Sequence, residues 1–321
     1  MSRRPVLIGS VALDVLHQGL VGGATAPVTL RWGGVVGNMA CSLGVLGADP
    51  LLVSVTYSGE LRWAVADHLA ACGVDWLTLP ATAPLPLFHA RMTADGTPAD
   101  EAFLGEDALT MLTPELLAPY QDMLAQASVV VTCTDVRPAT LSWLRALTST
   151  SQVPLWLLCS ADSEAHKLDM DGSPADCVGM NFAELGRRTG TAVSSPPAVL
   201  EAVQQIVRPD GRCLVTMGQD GALLVDAASR TVYHQPAVKI EPVAMSVGAG
   251  DVLYGCLLAE HLAGVDWVPA LRRATERTAR YLARRGSRNG RPYLSLLSED
   301  LEIASAPAAR RMTAGSSFLV P

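Results

Sequence analysis

The sequence predicts an α/β fold: a three-layer α/β/α sandwich around a mainly parallel central sheet, with a small β-sheet set apart as a lid. Short apolar runs such as Val6 to Val11, Leu51 to Val55 and Ser128 to Thr132 alternate with segments of helical period. That alternation marks buried parallel strands joined by crossover helices. Two stretches, at about 15–32 and 84–106, are more polar and lean towards β structure, which fits a second sheet outside the main core. A length of 321 residues with 49% hydrophobic content is enough to bury one large core. Residues 1–300 are read as that domain, and 301–321, rich in small residues, as a loosely held tail.

In chain order, Val6 to Val11 is a first core strand that leads to Asp14. Gly33-Gly34 turns into a helix from about Val36 to Leu46, with Met39, Leu43 and Leu46 on one face and Gly47 as its stop. Leu51 to Val55 is the next buried strand, followed by a helix near Leu61 to Ala71 and a short strand, Trp76 to Leu79. Phe88 to Thr93 and Ala102 to Leu104 flank Asp95-Gly96, a hairpin turn signal. Thr113-Pro114-Glu115 starts a helix, and βα repeats follow. These are Ser128 to Thr132 with a helix near Ala139 to Leu147, the strands Leu155 to Leu158 and Cys177 to Met180, and a helix near Ala198 to Val207 that leads into Cys213 to Met217. A hairpin of Ala222 to Val225 and Thr231 to His234 precedes two long helices, Gly250 to Leu262 and Val268 to Arg285.

A net charge of −7 argues against a nucleic-acid partner held by its phosphates. Lys167 and Lys239 are the only lysines and neither follows a glycine, so a Walker-type phosphate loop is excluded. The seven cysteines are scattered, without a C-x-x-C pair, and read as small buried hydrophobes in a reducing compartment. Arg3-Arg4 before an apolar run imitates a secretory leader, but Asp14 cuts the run short. No stretch reaches the length of a membrane span. The expectation is a cytoplasmic protein with no membrane partner. None of the six histidines has a spacing partner that suggests a metal site.

Chemistry concentrates in Gly248-Ala249-Gly250-Asp251, which opens the apolar helix Val252 to Glu260. Small residues there let N–H groups crowd around an anion, and the helix dipole adds positive potential. Asp251 in the first turn is placed to take a proton from a hydroxyl facing that anion. The pattern points to phosphoryl transfer to an alcohol; the alternative is a tight turn with Asp251 as an N-terminal cap. Asp14 lies at a strand's C-terminal end, where ligands bind in open α/β sheets, or else caps the next turn. Gly33-Gly34-Val35-Val36-Gly37-Asn38-Met39-Ala40 combines close backbone approach with an amide able to meet vicinal hydroxyls; it also reads as a helix start with a solvated Asn38. Asn181-Phe182-Ala183-Glu184 offers an amide and a carboxylate suited to a hydrated hard cation, or a helix capped by Asn181. Thr216-Met217-Gly218-Gln219-Asp220-Gly221 is a strand-turn open to backbone approach, or an ordinary hairpin.

Taken in series, these motifs resemble the PfkB (ribokinase-like) family of sugar and nucleoside kinases, from Ile8 to about Gly290. The resemblance implies ATP as phosphoryl donor, Mg²⁺, and a small-molecule sugar or nucleoside acceptor. It implies that Asp251 is the general base and that Gly248, Ala249, Gly250 and Asp251 form the anion hole. Asp14, Gly33, Gly34 and Asn38 would bind the acceptor. Asn181, Glu184, Thr216, Gly218 and Gly221 would serve the nucleotide, with Glu184 acting on Mg²⁺ through water. Pairing of the lid strands with a second copy would make a homodimer.

The chain departs from that family's pattern in two places. Met245 and Ser246 stand where an acidic or amide residue and Thr are usual, and a thioether supplies no hard oxygen ligand, so K⁺ activation is not expected. Val55-Thr56-Tyr57-Ser58-Gly59-Glu60 lacks the family's paired Asp. Gly33 to Asn38, the stretch Gly105-Glu106-Asp107 ahead of Leu112-Thr113-Pro114-Glu115, and Lys167 after Ala165 resemble pseudouridine kinases more than ribokinases. Ribose, fructose and keto-deoxy-gluconate stay open as acceptors, as does a non-catalytic sensor of the same fold. A Rossmann dehydrogenase is disfavoured, since Gly9-Ser10 is not G-x-G-x-x-G. Arg273, Arg277, Arg280 and Arg284, at helical spacing, read as a solvated outer face beside Glu276.

Overall fold

The computed structural model describes residues 3–18, 28–93, 98–172, 175–190, 193, 195–240, 246–285, 292–297, 303–314 and 316. Asp95-Gly96 and Met245 lie outside the described residues. The elements in chain order are β1 (Pro5–Ile8), β2 (Ala12–Gln18), β3 (Val28–Gly33), α1 (Val35–Val45), β4 (Leu51–Tyr57), α2 (Leu61–Ala71), β5 (Asp75–Ala83), β6 (Leu87–Met92) and β7 (Pro98–Leu104). Three short helices follow, α3 (Asp107–Thr110), α4 (Pro114–Leu117) and α5 (Gln121–Leu124). Next come β8 (Val129–Cys133), α6 (Pro138–Ser151), β9 (Leu155–Leu158), β10 (Ala175–Asn181), α7 (Phe182–Thr189), α8 (Pro196–Val203), β11 (Val207–Thr216), β12 (Ala222–Asp226) and β13 (Thr231–Gln235). The chain closes with α9 (Ala249–Leu262), α10 (Trp267–Arg285) and β14 (Arg310–Arg311).

The main sheet has ten strands in the order β14-β13-β12-β11-β10-β9-β8-β1-β4-β5. From β11 to β5 every pairing is parallel, and from β11 out to β14 every pairing is antiparallel. The central parallel strands are enclosed because helices cover both faces: β1, β8 and β9 are buried at every position. Val129-Val130-Val131 in β8 shows the composition behind this, with β-branched side chains that suit a pleated, doubly covered surface.

The second sheet, β3-β2-β6-β7, corresponds to the two β-leaning stretches of the sequence. Its strands alternate: in β3 Val28 and Leu30 are exposed, while Leu16 and Ala90 of the central strands are buried. Such alternation is expected of a sheet covered on one face.

Two expectations are corrected. The arginine face of α10 is not simply solvated: Arg273 and Arg277 both reach across to Glu260 of α9, at 3.1 and 2.9 Å, and Arg277 also donates to the Leu296 carbonyl. Glu260 is buried, so it draws in cations that periodicity alone assigns to solvent. The described part of the C-terminal stretch is not loose either. Arg310–Arg311 pairs with β13, Glu276 accepts the Ala306 N–H, and Gln235 donates to the Pro307 carbonyl. Among the described residues no helix is long and apolar enough to cross a membrane.

Candidate functional site

Two cavities meet above the C-terminal ends of the parallel strands. The first, about 700 Å³, is walled by Asp135 after β8, Ser160 after β9, Asn181 at the end of β10 and Thr216 at the end of β11. Asp14 also lines it, yet lies not at the end of β1 as expected but inside β2, paired with Arg31 and Phe88, because the chain re-enters a strand of the second sheet three residues after β1. A parallel sheet directs successive strand ends to one edge, so residues far apart in sequence converge there. Phe88 and Phe103, cross-strand partners in the second sheet, form part of the opposite wall. The second cavity, about 680 Å³, is lined by the turn from Met217 to Gly221 and by apolar side chains including Val238, Ile240, Leu253, Ala279 and Leu282. Asn181, Thr216, Ser246 and Gly250 line both, so the cavities share a seam.

Gly250 lies on that seam, and its N–H belongs to the first turn of α9, where no earlier helical carbonyl is available. Gly248 caps the helix at φ 77°, a left-handed conformation that glycine adopts without a Cβ penalty. Ala249 is placed differently from its neighbours: its N–H donates to the Ser246 carbonyl at 3.0 Å and it lines the second cavity. Gly248, Gly250 and Asp251 line the first.

Asp251 is held by Asn38, whose Nδ2 donates to Asp251 Oδ2 at 2.8 Å. The Asn38 side chain is buried, and its Oδ1 accepts a short hydrogen bond from the Tyr293 hydroxyl. Asn38 is therefore neither a cap nor solvated: it bridges two partners, with Gly34 as the N-cap of α1. Gly34 lines the first cavity at φ 87°, where a Cβ would meet the Ser10 carbonyl oxygen at 2.8 Å. Gly33 is not on the cavity wall; a Cβ there would fall 2.3 Å from the Asp14 carboxylate, so this glycine makes room for Asp14.

Asn181 and Glu184 form a reciprocal capping box on α7: Asn181 Oδ1 accepts from the Glu184 N–H at 2.8 Å, and Glu184 Oε2 accepts from the Asn181 N–H at 2.6 Å. The capping alternative thus holds at residues that also face the cavity. Burial pushes the Glu184 carboxyl up to about 7, with the charges of Asp162 and Asp251 adding to the shift. Gly218 and Gly221 carry the turn at φ 57° and 97°, and a Cβ on Gly221 would meet the Gln235 carbonyl oxygen at 2.1 Å.

Sequence reasoning missed Asp135, Ser160 and Tyr293. Asp135 accepts a short hydrogen bond from the Ser160 hydroxyl, and burial pushes its carboxyl up. The strand-end rule that singled out Asp14, applied to Ser128 to Thr132, finds it. Tyr293 has no motif and reaches Asn38 across 255 residues of chain. Lys167 donates to the Thr134 carbonyl at 3.0 Å and pairs with Glu164. In all, the first cavity is lined by Asp14, Glu101, Glu106, Asp135, Glu164, Glu184 and Asp251, against the cations Arg137 and Lys167. That excess of negative charge repels a polyphosphate unless a divalent cation comes with it, and buried Glu184 is the carboxylate such a cation would relieve.

Residues 8–292 match the family profile described as pfkB family carbohydrate kinase. An adenosine kinase from Sinorhizobium meliloti superposes with a TM-score of 0.76 at 18% identity, covering 92% of this chain and 98% of that one. A ribokinase from Arabidopsis thaliana, complexed with ribose and ATP, superposes with a TM-score of 0.72 at 19% identity, again covering 92% and 98%. A 1-phosphofructokinase of Rhodobacter capsulatus is 35% identical over 101 residues, so the match spans 31% of the length of that curated relative and 31% of this chain.

Proposed function

The chain belongs to the pfkB family of carbohydrate kinases, phosphotransferases with an alcohol acceptor, and on that premise we propose that it phosphorylates a hydroxyl of a nucleoside from ATP, with pseudouridine as the acceptor and pseudouridine 5′-phosphate as the product. The observation that carries the kinase reading is Asp251, in the first turn of α9 on the cavity wall, oriented by Asn38. Phe88 and Phe103 at the second-sheet end of the cavity support an acceptor that bears a flat ring rather than a bare sugar.

In this reading the acceptor enters the first cavity, with its hydroxyls on Asp14 and the Gly34 backbone, and adenosine occupies the second cavity against the Gly218 and Gly221 turn. Asp251 takes the proton of the attacking hydroxyl as the oxygen bonds to the γ-phosphorus and the bond to the β-phosphate oxygen breaks. Asn38 keeps the carboxylate turned to the acceptor. N–H groups at the start of α9, Gly250 foremost, face the charge that develops on the transferring group. Mg²⁺, when bound, neutralises phosphate charge; Glu184 would hold it through water, and Asn181 orients Glu184. The β3-β2-β6-β7 sheet serves as a lid that keeps water from the phosphoryl group. Exposed Val28 and Leu30 on its edge strand support a homodimer through this sheet. Seven free, buried cysteines support a cytoplasmic location.

One finding favours a second reading: the stretch similar to 1-phosphofructokinase, together with Arg137 and Lys167 on the cavity wall, suits a phosphosugar acceptor. ADP release with Mg-ATP is measured against pseudouridine, uridine, ribose, fructose, fructose 1-phosphate and keto-deoxy-gluconate. Turnover with pseudouridine alone is expected. Turnover with fructose 1-phosphate instead replaces the nucleoside reading, and silence across the panel with ATP still bound points to a sensor.

A further inference from the structure

Outside both cavities, three metal-ligating side chains converge between α1 and α2. Cys41 lies on α1, His68 on the last turn of α2 and Cys72 directly after it, and one ligating atom from each lies within 4.8 Å of the other two. Cys41 Sγ is 3.3 Å from His68 Nε2. His68 and Cys72 are four residues apart, so one helical turn presents imidazole and thiol on the same side. The close approach of the helices supplies the third group: at Gly44 on α1 an added Cβ would sit 2.3 Å from the Cys72 carbonyl oxygen.

We propose that Cys41, His68 and Cys72 form a binding site for a thiophilic divalent cation of the Zn²⁺ type, with two thiolates and one imidazole as ligands. Bonds of about 2.3 Å to sulfur and about 2.0 Å to nitrogen set tetrahedral ligands roughly 3.5–3.8 Å apart, so only a small adjustment around the ion is needed. The donor set is soft and has no carboxylate, which selects against Mg²⁺ and Ca²⁺ and separates this site from Glu184. The imidazole packs against two rings, stacked on Trp32 at 5.6 Å and tilted against Tyr293 at 5.9 Å. Cys41 and Cys72 are buried, while His68 is half-buried and gives the ion a way in from solvent. Loading releases one proton from each thiol to solvent, forms two metal–sulfur bonds and one metal–nitrogen bond, and leaves a fourth position for water. The bound ion would fasten α1 to α2 beside Trp32 of β3. Nothing in this assignment depends on the kinase reading.

The test uses the full chain, kept reduced, stripped with a chelator and titrated with Co²⁺ as a spectroscopic substitute, then with Zn²⁺. One equivalent of Co²⁺ is expected to give a thiolate-to-cobalt charge-transfer band that Zn²⁺ bleaches. In the Cys41→Ser/Cys72→Ser double variant the band is lost, although the other five cysteines remain. His68→Gln, which leaves both thiols, is expected to fold and to weaken Zn²⁺ binding. Zn²⁺ is also expected to raise the melting temperature of the wild type and not that of the double variant. Absence of the band in the wild type, its persistence in the double variant, or a Cys41–Cys72 disulfide in the protein as isolated overturns the proposal.

Discussion

The two cavities that meet at Gly250 are built from opposite materials. One is walled by carboxylates from segments far apart in sequence, among them Asp14 in β2, Asp135 after β8, Glu184 in α7 and Asp251 in α9; the other by a single turn's backbone and the apolar side of α9 and α10. Side chains with charge can move protons and steer cations, and they need a rigid sheet edge to bring them together. A flat heterocycle needs shape and little else, and a local turn with two glycines suffices. The comparison predicts that damage on the first side is read in kcat, and damage on the second in KM for ATP.

The largest expected effect is Asp251→Asn, which should lower kcat by about 10³ to 10⁴-fold with ATP binding and melting temperature nearly unchanged. Retained turnover would remove the proposed base. Asn38 comes next. Asn38→Ala should cost up to about a hundredfold in kcat through misorientation of Asp251, with KM for ATP held. Asn38→Asp sets a second carboxylate against Asp251, so the acidic limb of the pH–rate profile should move to higher pH, a shift that loss of packing alone does not produce.

Glu184→Gln sharpens the same boundary through pH. The Glu184 carboxyl sits at about 7 against an ordinary 4.5, so the folded chain holds a proton that the unfolded chain releases. The stability this contributes is full below about pH 4.5, falls as pH rises to about 7 and is level above it. The span is of order 3 kcal/mol at most, and melting curves of the metal-free variant should be flatter over that window. In the wild type the Mg²⁺ needed for half-maximal turnover should rise below pH 7, because protons and Mg²⁺ compete for one carboxylate. On the other side of Gly250, Leu282→Glu puts a charge into the apolar wall and should raise KM for ATP about tenfold with kcat held. The smallest effect on chemistry belongs to Val28→Asp/Leu30→Asp: sizing chromatography should show a monomer with near-normal turnover.

What the sequence made legible follows the same division. Periodicity and turn signals were enough for the sheet order's ingredients and for the second sheet, because strands buried on both faces and strands buried on one face have different compositions. Two asparagines mark where legibility stops. Asn181 opens α7 as a reciprocal cap, a local pattern readable over four residues. Asn38 has a similar setting near a helix start, yet its partners are Asp251 and Tyr293, which only the tertiary fold supplies. Ala249 shows the reverse: a motif read as one unit divides between two cavities because its N–H closes a turn with Ser246. The expectation that no histidine has a metal-site partner overlooked His68 and Cys72, four residues apart, because two donors at helical spacing say little until a third arrives from another helix.

The pairing of Arg310–Arg311 with β13 bears on how this protein keeps to itself in concentrated solution. Without it the main sheet would end in β13, an extended edge offering unpaired N–H and C=O groups to any neighbouring strand. Instead the sheet ends in two exposed, positively charged residues, too short and too polar to template further growth. Removal of residues 303–321 should therefore leave the carboxylate wall of the first cavity in place, loosen the Val238 and Ala279 side of the second, which Ala306 backs, and give a protein that associates edge to edge, visible as turbidity at concentrations the full chain tolerates.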